Sequence, residues 1–254
     1  TAVVRGKIKG DAFVEQQEVF EGLPYTHTRH HYGSRLVFGQ MGHLYISMGD
    51  RGQEKVFPQN LETAPGKIHR VNDDGSIPKD NPFVNRAGVK PEKFTLGNRN
   101  VQGVAVHPKT GEVWTHEHGP QGGDEINIIK PARNYGWPII TYGVNYGIGT
   151  KMGEGTAKAG LEQPLHVWIP SIAPSGMAFY KGSEFANWNN SLFIGALRAE
   201  TLVRLELKGD KVVHEERLLQ GSIGRIRDVR LGPDQFIYLL TDERAGGLYR
   251  LEPQ

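Results

Sequence analysis

A histidine and an aspartate flank one predicted strand hairpin, and together they could form a general base. His31 lies just before the first strand of the hairpin, and Asp50 follows the second strand. If the Asp50 carboxylate accepts one imidazole N–H, the neutral ring keeps its other nitrogen free to take a proton near pH 7. The alternative is that His31 is structural and that Asp50 only caps a turn. The pairing is therefore a hypothesis that rests on the strand pattern.

Four arginines and one asparagine have the types and spacing expected of an anion-binding site. Arg225 and Arg227 are two residues apart, so on a strand their side chains lie on the same face. Two guanidinium groups on an inward face are costly unless they meet an anion. Arg198 ends another predicted strand, and Arg99 with Asn100 lies beside a predicted tight turn. These residues predict a ligand with several carboxylates or phosphates, and the alternative is a solvated strand face.

The stretch from His116 to Glu125 contains the residue types of a metal site. Its His-x-His pair with nearby acidic residues could bind zinc. Its glycines and proline favour exposed backbone carbonyls, and carbonyls together with carboxylates suit calcium. Spacing alone leaves both metals open.

A strand unit that recurs four times would position these residues. Each copy has an apolar strand, a turn that contains glycine, a second strand with a polar end, and a closing strand. The second strands are predicted at 44–48, 113–115, 192–194 and 237–240, and the closing strands at 67–71, 125–129, 202–206 and 248–251. Blade-sized repeats with unequal loops are typical of a β-propeller, in which the polar strand ends surround one axis. The polar residues at these ends are Asp50, His118, Arg198 and Asp242. The alternative is a β-sandwich with chance similarity.

The composition agrees with an all-β protein that binds no nucleic acid. The 254 residues include 30 basic and 28 acidic side chains, without the basic excess typical of nucleic-acid-binding proteins. The 33 glycines and 15 prolines are dispersed between apolar runs, as turns between short strands would be. The sequence contains no run of about 18 apolar residues, the length that a membrane-spanning helix needs. Cysteine is absent, which leaves the cellular compartment open.

Four repeats are few for a closed ring, since propellers usually have about four to eight blades. The chain is therefore predicted to be a small propeller or part of a larger one. It opens on Thr1 without a recognisable signal peptide, which we interpret as processing or missing upstream sequence. The long inserts at 72–98 and 133–175 contain aromatic residues, which predicts ordered loops that cover one face.

Four motifs follow one another in a specific order along the chain. They are Leu96-Gly97-Asn98-Arg99-Asn100-Val101-Gln102-Gly103, Glu117-His118-Gly119-Pro120, Asp124-Glu125-Ile126-Asn127 and Asn134-Tyr135-Gly136-Trp137-Pro138. In this combination they resemble the soluble glucose/sorbosone dehydrogenases that depend on pyrroloquinoline quinone (PQQ), in particular the bacterial aldose sugar dehydrogenases. The resemblance implies an all-β, six-bladed propeller with PQQ on its axis. About four blades would be present here, in a single N-terminally incomplete domain over 1–254.

The resemblance also implies a reaction and its setting. His31 would take the proton of the sugar C1 hydroxyl as hydride passes to PQQ, and Asp50 would orient His31. An aldose would be oxidised to its lactone, and an unknown electron acceptor would reoxidise the cofactor. A periplasmic or secreted monomer or homodimer is implied. In this division of labour the cofactor does the redox chemistry, while the protein and metal supply orientation and charge.

Further site residues are carried over from the family by position. The implied PQQ contacts are Arg99 and Asn100, Tyr146 against the ring system, and Arg198, Arg225 and Arg227 around the carboxylates. The implied calcium ligands are the carbonyls of Gly119 and Pro120 at the quinone, with Glu125 and Tyr135 at a second, structural calcium site. Members of the family carry roughly two further blades upstream, together with a glutamine that contacts the cofactor. An open propeller would expose sheet edges.

Two other functions are consistent with the same strand pattern. A calcium-dependent propeller lactonase would need carboxylates around an axial metal and would not need converging arginines. A non-catalytic propeller fragment would keep the core strands but would not need His31 together with the arginine set. Reconstitution with PQQ and calcium distinguishes these alternatives from a dehydrogenase.

Overall fold

Short antiparallel strands are the main regular secondary structure of the computed structural model, which describes residues 1–253. The strands are β1 (Ala2–Lys9), β2 (Ala12–Glu21), β3 (Gly33–Phe38), β4 (Leu44–Met48), β5 (Lys67–Val71), β6 (Val101–Val106), β7 (Val113–Glu117), β8 (Asp124–Ile129), β9 (His166–Trp168), β10 (Pro174–Phe179), β11 (Ser191–Ala196), β12 (Thr201–Lys208), β13 (Lys211–Leu218), β14 (Ile226–Leu231), β15 (Ile237–Thr241) and β16 (Leu248–Arg250). A short 3-10 turn lies at Ala186–Trp188. Within residues 1–253, no helix is long and apolar enough to cross a membrane.

The chain divides into two compact units. The first comprises residues 1–101, 129–140 and 157–162, and the second comprises residues 102–128, 141–156 and 163–254. The first contains the β1–β2 hairpin and the sheet β3-β4-β5. The second contains the sheets β6-β7-β8-β9, β10-β11-β12-β13 and β14-β15-β16.

The first unit is built around the central strand of its three-stranded sheet. Ile46 and Met48 alternate along β4, and they pack with Val71 of β5 and Phe20 of β2 in one apolar cluster. All five residues of β5 are buried, which is the pattern of a strand covered on both faces. The apolar alternation of the sequence thus becomes a core that supports the end of β4, where the polar residues begin.

Strand β11 contributes to two apolar clusters of the second unit. Leu192 and Ile194 point into a cluster with Trp114 and Ile126, which includes residues of β7 and β8. Phe193 points to the opposite face and packs with Val229 of β14. Because successive side chains on a strand alternate between faces, one strand joins two layers of core. This is the packing expected where sheets stack face to face.

The four predicted repeats correspond to the four larger sheets. Each predicted hairpin and closing strand pairs antiparallel in chain order, in the sheets that begin with β3, β6, β10 and β14. In the second unit, all three residues of β16, the last strand of its sheet, are exposed. The expectation of a single domain over 1–254 stays a prediction.

Two outer strands, β9 and β13, were missed by the sequence analysis. β13 has the sequence Lys-Val-Val-His-Glu-Glu-Arg-Leu and no fully buried residue, so it lacks the apolar signal of an inner strand. It is held by backbone pairing with β12, in which Leu202 is opposite Leu218. β9 is only three residues long. An edge strand can form through its partner's hydrogen bonds, with little apolar burial of its own.

Candidate active site

The β3–β4 hairpin brings His31 beside Asp50 in the first unit. Antiparallel pairing places Gly33, at the start of β3, opposite Met48, at the end of β4. The residues just outside this pair are therefore neighbours, and His31 Nδ1 lies 2.6 Å from Asp50 Oδ1. The Asp50 side chain is 1% exposed and that of His31 is 19% exposed. Local strand register is thus sufficient to create the pair.

Three donors surround the Asp50 carboxylate. Its Oδ1 accepts hydrogen bonds from His31 and from the Gly52 N–H at 2.8 Å, and its Oδ2 accepts one from the indole N–H of Trp137 at 2.8 Å. Burial alone would raise the pKa of Asp50. The hydrogen bonds from His31 and Gly52, with the charges of His31 and Arg99, instead hold that pKa below its ordinary value. Asp50 is therefore a carboxylate at neutral pH.

An ionised Asp50 determines how His31 is protonated. A carboxylate can only accept, so His31 Nδ1 must carry the proton and donate it to Oδ1. In the neutral ring, Nε2 then has a lone pair available. The ring is held in the tautomer that a general base requires.

Glycine at position 49 allows the close approach of the His31 backbone. A Cβ at this position would lie 2.1 Å from the His31 carbonyl oxygen and 2.6 Å from its carbon. His31 itself has φ +54°, in the left-handed region that non-glycine residues rarely adopt. We expect Gly49→Ala to lower the free energy of unfolding by about 1–3 kcal/mol and to displace His31. Urea denaturation measures the first effect, and the His31 ring resonances report the second.

Gly155→Ala is the matched control for this glycine. A Cβ at Gly155 would have no atom within 4 Å, and its φ lies outside the left-handed region. Its stability should equal that of the unchanged protein. A Gly49→Ala protein as stable as the Gly155→Ala protein would contradict the predicted clash.

Arg99 and Asn100 lie beside the His31–Asp50 pair in the first unit. The Arg99 carbonyl accepts the Asp50 backbone N–H at 2.8 Å, and the Arg99 guanidinium lies 5.1 Å from the centroid of the Trp137 ring. Asn100 Oδ1 accepts the Gly33 N–H at 3.3 Å. The motif that contains both residues is therefore attached directly to the hairpin that carries the base.

Arg225 and Arg227 share one carboxylate in the second unit. Their NH2 nitrogens lie 3.2 and 2.6 Å from the same oxygen, Oδ2 of Asp242. Hydrogen bonds from Arg227 and Arg225 hold the pKa of Asp242 below its ordinary value. The guanidinium groups of Arg225 and Arg227 lie together, as predicted, but the anion that both contact here is a side chain of the protein itself, Asp242. Both arginines are about 40% exposed.

Two other predicted cofactor contacts of the second unit are exposed. Arg198 directly follows Leu197 after β11, and its backbone N–H donates to the Ile172 carbonyl at 3.1 Å. Tyr146 is 67% exposed, in a loop whose Gly147 N–H donates to Gln121 Oε1 at 3.0 Å. Both side chains are accessible to a ligand.

Asp124 braces the loop that contains Gly119 and Pro120. Its Oδ1 accepts the Gly119 N–H at 2.9 Å, and its remaining hydrogen bonds come from residues 171–173 at 2.9–3.0 Å. A Cβ at Gly119 would lie 2.3 Å from the carbonyl oxygens of Gly122 and Gly123. Glycine is therefore required here by backbone packing, and Asp124 is occupied as a structural acceptor.

The surroundings of Glu125, in the second unit, disfavour the charged form of its carboxyl group. Burial, followed by the charge of Glu117, raises the pKa of Glu125 to about 8. The hydrogen bond from Asn127 Nδ2, 3.5 Å from Glu125 Oε2, lowers this pKa only in part.

Within residues 1–253, no group of three or more His, Cys, Asp or Glu side chains is arranged to hold a metal. The zinc interpretation therefore has no geometric support, and His118 Nε2 instead contacts the Pro174 carbonyl at 2.6 Å.

The raised pKa of Glu125 makes stability depend on pH. Without a cation, the folded protein binds this proton up to about pH 8, whereas the unfolded chain releases it near the ordinary glutamate pKa of 4.5. Stability should therefore fall as pH rises from about 4.5 to about 8. Glu125→Gln should flatten this slope in thermal unfolding, whereas substitution of the exposed Glu62 should not. If the stability of Glu125→Gln depended on pH as steeply as that of the unchanged protein, the raised pKa could not be assigned to Glu125.

Tyr135, the other residue predicted at a structural calcium site, belongs to the first unit. Its side chain is buried, and its hydroxyl accepts the Lys130 N–H at 2.9 Å. The phenol is thus engaged by the backbone, so the backbone carbonyl of Tyr135 is the oxygen that could serve as a metal ligand.

Trp137 is the residue of this site that sequence reasoning missed. The motif Asn134–Pro138 was recognised, but no role was assigned to its tryptophan. The signal that could have identified it is chemical, since a buried tryptophan usually needs an acceptor for its indole N–H. Asp50 is that acceptor, 87 residues away in the chain.

The chain is similar over its whole length to sugar dehydrogenases. A family model described as glucose/sorbosone dehydrogenase matches residues 1–250. The aldose sugar dehydrogenase YliI of Escherichia coli (strain K12) is 43% identical over an alignment of 257 positions, which covers 100% of this chain and 69% of the relative.

Solved structures agree with this similarity. The soluble aldose sugar dehydrogenase from Escherichia coli, in its apo-form, superposes with a TM-score of 0.95 at 43% identity, over 100% of this chain and 74% of that chain. The PQQ-bound aldose sugar dehydrogenase from Streptomyces coelicolor superposes with a TM-score of 0.77 at 30% identity, over 97% and 68%. The four larger sheets are therefore blades of a β-propeller, and the chain spans 68–74% of these relatives.

Proposed function

The chain belongs to the glucose/sorbosone dehydrogenase family, and we propose that the whole protein oxidises an aldose sugar at C1 to the lactone, with PQQ as hydride acceptor. Since the chain spans 69% of the Escherichia coli relative, this activity is proposed for the whole protein. A periplasmic or secreted location and an external electron acceptor follow from the same resemblance. The protein would act as a monomer or homodimer.

The observation that carries the proposal is the His31–Asp50 pair. His31 Nε2 would take the proton of the C1 hydroxyl, while the C–H electron pair leaves C1 as hydride and a C=O bond forms. PQQ, when bound, supplies the two-electron acceptor for this hydride. Asp50, hydrogen-bonded to Nδ1, would stabilise the imidazolium that forms. The buried carboxylate is already ionised, so it needs no proton transfer of its own.

The chemistry of the arginines fits a planar quinone that carries carboxylates. Arg225 and Arg227 meet at one carboxylate oxygen of Asp242, and both are about 40% exposed, so a carboxylate of a ligand could approach the same two guanidinium groups. We assign them, with Arg198, to the PQQ carboxylates. Arg99 and Asn100 are assigned to PQQ in the first unit, and Tyr146 is assigned to the face of its ring system.

The oxygen donors of the second unit suit calcium. Gly119 and Pro120 would offer backbone carbonyls, the ligand type that calcium accepts and that zinc disfavours. Glu125, whose raised pKa reflects burial and the nearby charge of Glu117, would gain from a bound cation. We assign Gly119 and Pro120 to calcium at the cofactor, and Glu125 and Tyr135 to a structural calcium.

Reconstitution tests the proposed function. The protein is mixed with PQQ and calcium, and reduction of an artificial dye is followed with an aldose as substrate. The expected result is a bound-quinone absorbance spectrum and dye reduction that needs all three components. A bound spectrum without dye reduction would overturn the dehydrogenase assignment. Hydrolysis of a sugar lactone without PQQ would support the lactonase alternative instead.

A further inference from the structure

We propose that Trp137 is the positioning residue of the His31–Asp50 pair, and that it also sets the place of Arg99. This inference rests on the proposed function for its catalytic meaning. Its geometric content, the hydrogen bond that holds Asp50, is independent of any bound cofactor. All the residues involved belong to the first unit.

The two oxygens of Asp50 have separate partners. Oδ1 faces His31 Nδ1 at 2.6 Å, and Oδ2 accepts the Trp137 indole N–H at 2.8 Å. With a donor on each oxygen, the carboxylate cannot rotate without breaking a buried hydrogen bond. The indole nitrogen can only donate, so Oδ2 must be an acceptor. Trp137 thus orients the carboxylate so that Oδ1 remains directed at His31.

Trp137 is itself held by Gln59 and by two of the motifs that carry the family resemblance, 96–103 and 134–138. Its backbone N–H donates to the Gly97 carbonyl at 2.9 Å, and its carbonyl accepts Gln59 Nε2 at 2.7 Å. The Gln59 and Asn134 side chains bond to each other in both directions, at 2.7 and 3.1 Å. A Cβ at Gly97 would lie 2.1 Å from Asn134 Oδ1. The backbone of Trp137 is therefore held by a network of backbone and partly buried amide contacts.

The face of the same indole contacts Arg99. The Arg99 guanidinium carbon lies 5.1 Å from the ring centroid, within the range of a cation–π contact. The edge of Trp137 thus binds Asp50 while its face supports Arg99, the residue assigned to PQQ. One rigid side chain fixes the base relative to a cofactor-binding arginine.

The test is Trp137→Phe, which keeps an aromatic face for Arg99 but removes the indole N–H. The first readout is the ¹⁵N spectrum of the His31 ring in the cofactor-free protein. We expect the Nδ1–H signature of the unchanged protein to be lost or averaged with the other tautomer. In the reconstituted protein, kcat should fall about tenfold or more, while KM and PQQ affinity change little.

Trp168→Phe is the matched control. The Trp168 indole N–H donates to Glu215 Oε2 at 3.0 Å, so this variant also removes a tryptophan–carboxylate bond, in the second unit. It should leave the His31 spectrum unchanged. A folded Trp137→Phe protein with an unchanged His31 spectrum and kcat would overturn the proposal. If the unchanged protein reduces no dye, the proposed function fails, yet the His31 spectrum still decides the positioning role.

A second measurement covers the case in which Trp137→Phe does not fold. In Asp50→Asn, the carboxylate is replaced by a neutral amide, which is a weaker acceptor. The indole N–H resonance of Trp137 should move upfield, while that of Trp168 should stay in place. An unmoved Trp137 resonance would overturn the hydrogen bond on which the proposal depends.

Discussion

Replacement of His31 by glutamine should abolish sugar-dependent dye reduction and leave PQQ binding intact. A positioned general base contributes about 10²–10⁴-fold to a rate, so kcat should fall by at least about 10²-fold. Glutamine is close in size to histidine and can still donate to Asp50, but it has no lone pair of comparable basicity. Dye reduction measures turnover, and titration of the quinone absorbance measures binding.

His27→Gln is the control for this substitution. His27 is an exposed histidine of the same segment, and its replacement should change neither readout. Turnover that survives in His31→Gln would show that another group takes the proton. Loss of PQQ binding in His31→Gln would show instead that His31 supports the cofactor, which would contradict its assignment as a base only.

Removal of either arginine of the 225–227 pair should weaken PQQ binding by about tenfold to 100-fold. Each guanidinium can form charge-assisted hydrogen bonds, which are worth about 1.5–3 kcal/mol each. Asp242 would also lose one of its two partners, so its carboxylate would compete more strongly for the remaining arginine. Titration with PQQ gives the dissociation constants of Arg225→Ala and Arg227→Ala.

The same strand supplies the control for the arginine pair. Arg230 lies on β14, three residues beyond Arg227, and its guanidinium pairs with a different carboxylate. It pairs with Asp228 at 3.0 Å and is 62% exposed. Arg230→Ala should leave PQQ affinity unchanged. Equal losses in Arg227→Ala and Arg230→Ala would indicate a general charge effect and would contradict a specific carboxylate site.

The repeated hairpins and their polar ends could be predicted because they depend on local order. Alternating apolar residues and glycine turns specify which segments pair when the partners are adjacent in the chain. The position of His31 before β3 and of Asp50 after β4 follows from that register alone. The two-residue period of a strand also predicted that Arg225 and Arg227 would lie together, and in the structure they do so at Asp242, with Arg225 just before β14.

The partners of these residues could not be predicted in the same way. The sequence analysis expected an external anion for Arg225 and Arg227, but Asp242 also meets both of them. The exposed strand β13 lacked the apolar pattern that identified inner strands. In each case, the deciding interaction is polar, and polar residues carry no periodic signal that would reveal which of many possible partners they meet.

By itself, the sequence determined the strand repeats, the pairing of His31 with Asp50 and, through its motifs, the family. Only the tertiary structure decided that the Asp50 carboxylate accepts a hydrogen bond from the Trp137 indole and that Asp124 accepts backbone hydrogen bonds as a structural residue. The physical reason is separation along the chain. The Asp50–Trp137 bond spans 87 residues, and it forms only after packing brings two loops together. Strand register acts between neighbours, whereas a buried donor finds its acceptor through the fold as a whole.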